Sequence, residues 1–456
     1  MNLFEKILII VLLICIFTFL FKNACGNLSL RKLNIISLSY YYLLFFAVIG
    51  GCIIFLGFKQ HYLIYYMKDA TINTAFWILF ITSLELPLFI TFFNKLQKIN
   101  NFNEFYNDYI DREYVIDAHT ENNLFYYTRI LTIVCTLSLA YTFYCIGYVP
   151  IIELMKGKFY LLSDRIIISR KFTGNIYIRN ILALGLTPII SYLSYIYYKL
   201  THENRWKWLF IYLLILSIMA KTYDFSKAPV ILYLIYFYFI EVLLGNANLN
   251  VKLGRYLILA FAVVIVMYYG LLGYTGRLLN LSSGPLSRLV ITYISGYFLS
   301  IQTFPSMHPF LKGASFPTAF AQLFGINEGG IRSGRILMMT YLSKSVGNGT
   351  GDVMNSLYVG EAYANFGIAG AIISPIVIAF CLSVIPNIIL RLRKTPLNVT
   401  LYVLFTFTYV NGLMGGFVDF IYNVQLVAVM IIITFGTFIA QKGRVYFVKD
   451  KRYSGV

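Results

Sequence analysis

Three side chains within residues 360–370 could take part in group transfer: the carboxylate of Glu361, the phenol of Tyr363 and the amide of Asn365. This segment lies where a long polar and basic stretch gives way to an apolar run, Ile368 to Ile389. Polar groups at the mouth of a membrane-spanning segment are costly unless they face water or a substrate. The segment therefore predicts chemistry at one face of a membrane.

The composition is that of a membrane protein. Of 456 residues, 59% are hydrophobic and 12% are charged, and the mean hydropathy is +0.73. A soluble domain is about half apolar and about a quarter charged. The apolar runs are continuous and about twenty residues long, as in transmembrane helices, whereas strands of an outer-membrane barrel alternate over about ten residues. The sequence predicts an all-α, polytopic integral membrane helix bundle.

We predict about eleven transmembrane helices, forming a single membrane domain over residues 1–456. They are placed at residues 5–21, 35–57, 74–93, 127–149, 180–198, 208–222, 229–244, 256–274, 364–389, 398–415 and 424–440. The first is counted as a span because Phe19 to Lys22 offers no small-residue cleavage site for a signal peptidase. No CxxC or Cys/His cluster is present, so neither a disulfide framework nor a metal site is predicted.

Lysine and arginine in the short loops set the predicted orientation. The loops placed in the cytoplasm are residues 22–34, 199–207, 252–255 and 391–394, together with the basic C-terminal tail. This arrangement places the N-terminus and two larger loops, residues 151–179 and 275–363, on the outer face.

Both outer loops are strongly basic, although the positive-inside rule disfavours this. Their cations and those of a short outer turn contribute to a formal net charge of +18, and include Arg165, Arg170, Lys227, Arg288, Arg332 and Arg335. Either the predicted topology is wrong between residues 94 and 180, or the charge binds an anion. The second interpretation is favoured because long loops escape the rule. Arginine suits this task, since its planar fork grips diphosphate oxygens and stays charged.

Catalytic motifs of soluble enzymes are absent: there is no P-loop, no GxSxG and no dinucleotide-binding fingerprint. A metal site for nucleotide-sugar chemistry would require clustered carboxylates. The nearest run, Asp108 to Glu113, falls on the predicted inner face and is interpreted as a solvated acidic patch. An outer-face enzyme without metal ligands must stabilise a leaving phosphate with arginine and lysine, which this chain supplies.

The end of the long basic loop carries a family resemblance. Residues Asn355 to Gly367 read Asn-Ser-Leu-Tyr-Val-Gly-Glu-Ala-Tyr-Ala-Asn-Phe-Gly, which resembles the Wzy-type O-antigen (oligosaccharide repeat-unit) polymerases. Ser226 to Pro229, Ser169 to Asn175 and Leu28 to Tyr41 are also similar to that family. The resemblance covers essentially the whole chain in layout, and residues 360–367 are its most specific part.

The resemblance implies an architecture of the C-type membrane glycosyltransferases and a role in lipopolysaccharide biosynthesis. Such an enzyme acts at the periplasmic face of the bacterial inner membrane. It transfers a growing glycan from undecaprenyl diphosphate to the non-reducing end of a lipid-linked repeat unit, without metal or other cofactor. The implied partners are the undecaprenyl-diphosphate-linked oligosaccharide, membrane lipid, and the flippase and chain-length regulator of the same pathway. No nucleic-acid partner is expected.

In that reaction a sugar hydroxyl attacks the anomeric carbon as the diphosphate departs, and a carboxylate within hydrogen-bond reach serves as the base. Glu361 is the favoured group because it lies at a span mouth, and Asp352 is the second choice. Arg170 and Arg288 are predicted to act catalytically on the diphosphate. The predicted substrate-binding residues are Lys227, Arg165, Arg332, Arg335, Tyr363, Asn365 and Asn355.

Each of these residues also has a structural interpretation. Glu361 could be an acid favoured by a helix N-terminus, and Asp352 lies in a turn-like sequence. Arg170 and Lys227 could contact lipid head groups. Arg288 opens an apolar, aromatic stretch that ends at Phe304, which is interpreted as a helix lying on the membrane.

Two other functions remain open from the sequence. An O-antigen ligase, which moves glycan onto lipid A core, has the same architecture and cannot be separated by composition. A lipid-linked oligosaccharide flippase or other transporter would favour an inverted repeat with discontinuous spans at the midplane. We find no such repeat, so the transporter is the weaker alternative.

Overall fold

The computed structural model describes residues 1–116, 118–158, 168–169, 172–224, 228–246, 280–282, 284–327, 329–348, 351, 353–436 and 438. Within these ranges the chain is helical and contains no β-strand. The prediction of an all-α membrane protein is confirmed at this level, because several helices are long and apolar enough to cross a membrane.

The helices of the described residues are numbered α1 to α18. In chain order they are α1 (Leu3–Cys25), α2 (Ile35–Leu43), α3 (Ile49–Phe55), α4 (Asp69–Leu96), α5 (Phe102–Asp111), α6 (Ala118–Ile146), α7 (Pro150–Met155), α8 (Thr187–Thr201), α9 (Asn204–Lys221), α10 (Ala228–Leu243), α11 (Pro285–Ser287), α12 (Tyr293–Thr303), α13 (Thr318–Ala321), α14 (Ser333–Tyr341), α15 (Ser343–Gly347), α16 (Leu357–Arg391), α17 (Pro396–Gly415) and α18 (Val418–Ile421). Residues 424–436 form a further helix. Within the described residues, the π-helical segment Leu44–Val48 joins α2 to α3 and Arg288–Thr292 joins α11 to α12. A third π-helical segment, Ile178–Leu186, leads into α8.

Eight segments of the described chain are candidate membrane spans, and they match eight of the predicted ones. They are Leu3–Lys32, Ile35–Phe55, Asp69–Leu96, His119–Ile146, Ile178–Thr201, Leu357–Arg391, Pro396–Gly415 and Val418–Gly436. The predicted span 208–222 lies in α9, whose 18 residues include three cations, Arg205, Lys207 and Lys221. The predicted span 229–244 corresponds to a shorter apolar helix, Pro229–Leu243. The predicted span 256–274 lies outside the described residues.

The chain divides into two compact units. The first comprises Met1–Asn107, Gly273–Ile388 and Thr406–Asn423, and the second comprises Asp108–Leu272, Ile389–Phe405 and Val424–Val456. In the first unit, α1 packs on α4, and α4 also contacts α3 and α12. Close approach between these elements requires small residues: a Cβ on Gly50 would lie 1.9 Å from the carbonyl oxygen of Val290.

Helix α12 lies in the interior of the first unit. Residues 294–303 are all buried, and the helix packs against α4 and α14. A helix lying on a membrane keeps one face in water, so the interpretation of residues 289–304 as a surface helix is wrong. The hydroxyls of Ser295 and Ser300 donate to carbonyl oxygens one turn earlier, at 2.7 and 2.9 Å, so these side chains need no water.

The second unit is built around α8 and α9, which pack against each other, and α6 contacts both of them. Two buried carboxylates in this unit have cations beside them. The carboxylate of Glu121 accepts hydrogen bonds from the Trp206 indole at 2.6 Å and from Arg205 at 3.0 Å. Glu241 lies 3.2 Å from the Lys199 ammonium. These pairs follow the rule that buried charges are compensated.

Candidate functional site

Glu361 is buried one turn inside α16, in the first unit. Its side chain is 1% exposed and both carboxylate oxygens are engaged. Oε1 lies 3.0 Å from Nε of Arg332. Oε2 accepts a hydrogen bond from the backbone N–H of Val418 at 3.0 Å. The carboxylate therefore connects the start of α16 to α14 and to the start of α18.

Arg332 joins two carboxylates. It is the residue immediately before α14, and its side chain is 30% exposed. Besides Glu361, its Nη2 donates to both oxygens of Asp419, each at 3.0 Å. We call Glu361, Arg332 and Asp419 the charged triad. Partial burial alone would lower the pKa of Arg332, but the two carboxylates outweigh that effect and raise it above its usual value.

Two glycines make room for the charged triad. A Cβ on Gly416 would lie 2.2 Å from Oε2 of Glu361 and 3.1 Å from Nη2 of Arg332. A Cβ on Gly415 would lie 2.8 Å from an oxygen of Asp419. Both positions precede α18, so the chain approaches the charged groups with its backbone alone.

The loop at residues 311–316 holds the two sides of the site together. Helix α16 breaks at Gly367, where φ is 65° and a side chain is disfavoured. The preceding carbonyls of Ala364 and Asn365 accept from the backbone N–H groups of residues 311 and 312, at 2.9 and 3.0 Å. Further along the loop, the carbonyl of Ala314 accepts from the N–H of Ile331 at 2.9 Å, next to Arg332. Carbonyls that the break leaves without a partner inside the helix thus bind the loop that positions Arg332.

Asn365 fixes this loop with its side chain. Its Oδ1 accepts from the N–H of Gly313 at 3.1 Å, and its Nδ2 donates to Ser315 Oγ at 2.9 Å and to the Glu361 carbonyl at 2.8 Å. The residue is buried. The structure therefore places Asn365, a predicted substrate-binding residue, in the framework behind the charged triad.

The other predicted residues near α16 have different environments. Tyr363 is buried, and its ring packs edge-on against Phe310 with centroids 5.8 Å apart. Arg335 donates to the carbonyl of Gly351 at 3.0 Å. Asn355 is exposed. The backbone N–H of Arg335 also donates to the carbonyl oxygen of Arg332 at 2.9 Å, so Arg335 contacts the charged triad through the main chain.

Arg288 lies on another element, the π-helical segment Arg288–Thr292. Its side chain is exposed, and within the described residues no carboxylate pairs with it. It acts on Tyr62: burial raises the pKa of that phenol, and the positive charge of Arg288 opposes the rise. Arg288 thus remains a solvent-facing cation, as binding of an anion requires.

Four predicted residues lie outside the described residues: Arg165, Arg170, Lys227 and Asp352. Their predicted roles stay predictions. Among the described residues, no group of three or more His, Cys, Asp or Glu side chains could hold a metal ion. The expectation of a metal-independent reaction also stays a prediction.

Neither Asp419 nor Gly416 is among the site residues predicted from the sequence. The signal for both was the pair Gly415-Gly416 three residues ahead of an acid, at the start of an apolar segment. A glycine pair at such a junction indicates close approach by another group. Which group approaches is decided by tertiary contacts, so the local sequence could not identify Arg332 and Glu361 as the partners.

No family model, no characterised protein and no solved structure matches this chain. Membership of the Wzy-type polymerase family therefore stays a prediction, based on the resemblance of residues 355–367 and on the layout of the apolar segments. The structure adds the charged triad to this resemblance. The triad connects Glu361, which lies in the family-like stretch, to two distant parts of the chain.

Proposed function

We propose that this protein is a glycosyltransferase that polymerises lipid-linked oligosaccharide repeat units. The growing glycan would move from undecaprenyl diphosphate to the non-reducing end of a new unit, at the periplasmic face of the bacterial inner membrane. The observation that carries the proposal is the charged triad, in which the acid of the family-like segment, Glu361, shares Arg332 with the partly exposed Asp419.

The charge of the triad favours an acceptor site over a diphosphate site. One guanidinium faces two carboxylates, so the formal sum is +1 − 2 = −1 when both acids are ionised. A net negative cluster repels a diphosphate, whereas carboxylates bind and activate sugar hydroxyls. This supports assigning the acceptor glycan to the triad, and it makes Arg332 part of the acceptor site.

The leaving diphosphate requires other cations. Arg288 is exposed and is unpaired among the described residues, so its guanidinium is free to accept an anion. Arg170 and Lys227 are the further candidates from the sequence. A positioned cation stabilises the charge that develops on the leaving group, and each such donor contributes roughly 10²- to 10³-fold in rate. The proposal thus separates an acidic acceptor side from a basic donor side.

The lipopolysaccharide of a strain lacking this protein tests the proposal. Loss of the O-antigen ladder with a single repeat unit retained on lipid A core is the expected result. Absence of all O-antigen from lipid A, with polymer left on its carrier, would identify a ligase instead. Accumulation of repeat units on the cytoplasmic leaflet would identify a flippase. An unchanged ladder would contradict all three functions.

A further inference from the structure

The two carboxylates of the charged triad differ in their access to solvent. The Glu361 side chain is 1% exposed, and that of Asp419 is 38% exposed. A general base must come within hydrogen-bond reach of the proton that it removes. Only Asp419 meets this requirement without rearrangement of the site.

The hydrogen bonds of Glu361 argue against its acting as the general base. Oε1 is held by Arg332 and Oε2 by the N–H of Val418, both at 3.0 Å. The remaining approach to Oε2 is taken by Gly416, where even a methyl group would lie at 2.2 Å. An acceptor hydroxyl therefore has no space beside Glu361.

Asp419 retains acceptor capacity. Both of its oxygens accept from a single nitrogen, Nη2 of Arg332. Each carboxylate oxygen offers about two lone-pair sites, so one donor leaves capacity for a substrate hydroxyl on the exposed side. The charged groups that face Asp419 among the described residues are Arg332 directly and Glu361 behind it.

We infer that Asp419 is the carboxylate that receives the proton of the acceptor hydroxyl, and that Glu361 is a positioning residue acting through Arg332. This inference rests on the proposed function. In the step, the acceptor oxygen forms a bond to the anomeric carbon of the donor. The bond from that carbon to the diphosphate oxygen breaks, and its electron pair leaves with the diphosphate. The hydroxyl proton passes to Asp419.

The second carboxylate has a physical purpose in this arrangement. When Asp419 takes up the proton, it no longer balances the charge of Arg332. An ionised Glu361 would keep the guanidinium paired at that point, so that no isolated charge arises in a partly buried site. The formal charge of the triad moves from −1 to +1 − 1 = 0 during the step.

The test is an assay of polymer formation by the purified protein. The lipid-linked repeat units for this assay are isolated from a strain that lacks the protein. Asp419→Asn preserves shape and still accepts from Arg332 through its one oxygen, so the thermal midpoint should fall less than in Glu361→Gln. We expect kcat to fall roughly 100- to 10,000-fold, the contribution of a general base, with KM for the repeat unit changed less than about threefold, since acceptor binding is retained. A carboxylate base makes the rate fall at acid pH, and this fall should be absent in Asp419→Asn. Asp419→Glu should recover part of the rate.

Glu361→Gln is the matched variant. We expect it to lower the thermal midpoint as well as the rate, and to keep the acid dependence of the residual rate. Wild-type kcat in Asp419→Asn would overturn the inference. So would a Glu361→Gln variant of normal thermal midpoint that lost the acid dependence. Failure of the proposed function is distinguishable, because wild-type protein would then form no polymer in the same assay.

Discussion

Glu361 and Gly416 are in such close contact that a Cβ at position 416 would lie 2.2 Å from the Oε2 atom of the glutamate. Real Cβ atoms do not approach another heavy atom so closely, so one of the two must move if a side chain is introduced. The glutamate cannot move freely, because Arg332 and the N–H of Val418 hold its two oxygens. The position of the charged triad therefore depends on a residue without a side chain.

Gly416→Ala should destabilise the protein by about 1–3 kcal/mol, the usual range for overpacking a fixed site. The measurement is the thermal unfolding midpoint of detergent-purified protein. Gly347→Ala is the control, because a Cβ there meets no atom within 4 Å and φ is not in the left-handed region. Equal midpoints for both variants would contradict the close approach of residue 416 to Glu361.

Arg332→Gln should lower the free energy of unfolding by about 2 kcal/mol. Breaking a fully buried ion pair costs about 3–5 kcal/mol, and partial exposure of Arg332 reduces this. The substitution leaves the carboxylates of Glu361 and Asp419 together without a cation. Lys59→Gln, which breaks an exposed pair with Asp69, should cost less than about 1 kcal/mol. Adding Glu361→Gln to Arg332→Gln should restore part of the stability, and further loss would argue against charge repulsion.

Stability should depend on His61 between pH 6.5 and about 4. Burial lowers the pKa of this imidazole from 6.5 to about 4. Its Nδ1 accepts from the N–H of Leu63 at 3.3 Å, and Nε2 lies 3.2 Å from the hydroxyl of Thr292. Tyr62, with ring centroids 4.4 Å away, is the neighbouring titratable group, and Arg288 acts on that phenol.

The sign follows from proton linkage. The unfolded chain binds a proton below pH 6.5 and the folded chain only below about pH 4, so acid favours unfolding in between. The contribution of His61 to the free energy of unfolding is therefore fully present above pH 6.5 and is lost as the pH falls towards 4. His61→Asn keeps an acceptor for the Leu63 N–H and should reduce the slope of thermal midpoint against pH. The same slope in both proteins would mean that other groups cause it.

The sequence predicted the helical elements well because about twenty consecutive apolar residues have few alternatives to a membrane span. It failed at α12, an apolar and aromatic stretch that was interpreted as a helix lying on the membrane. The helix is buried in the first unit, and its serines donate to their own backbone. Arg332 was predicted to bind substrate, and its pairing with Glu361 and Asp419 could not be foreseen. Those contacts depend on the break at Gly367 and on the loop anchored by Asn365, which are tertiary features.

The orientation of residues 284–348 is a separate prediction. Lys312 and Lys344 are exposed and lie outside the candidate spans. In a background without the six native cysteines, Lys312→Cys and Lys344→Cys should react with a membrane-impermeant thiol reagent in intact spheroplasts. Lys32→Cys, exposed on the predicted cytoplasmic side, should react only after lysis. The opposite pattern would invert the topology and move the charged triad to the cytoplasmic side.

Arg288 should be required for polymerisation but not for folding. Arg288→Ala removes an exposed cation without burying or unpairing a charge among the described residues, so the thermal midpoint should change little. If Arg288 binds the departing diphosphate, the lost stabilisation of the transition state is about 2–4 kcal/mol. That corresponds to roughly 30- to 1,000-fold in rate, enough to collapse the long-chain ladder. Arg288→Lys keeps the charge but not the fork, and should retain an intermediate rate.

The control for Arg288 is another exposed cation of the same loop. Lys344→Ala removes an equal charge from α15, and its ladder should match wild type if position, and not net charge alone, determines the effect. The measurement is ladder length on gels at matched protein level, together with the rate of polymer formation by purified protein. A normal ladder from Arg288→Ala would exclude this residue from the donor side. Equal losses in both variants would indicate general electrostatic attraction of the lipid carrier.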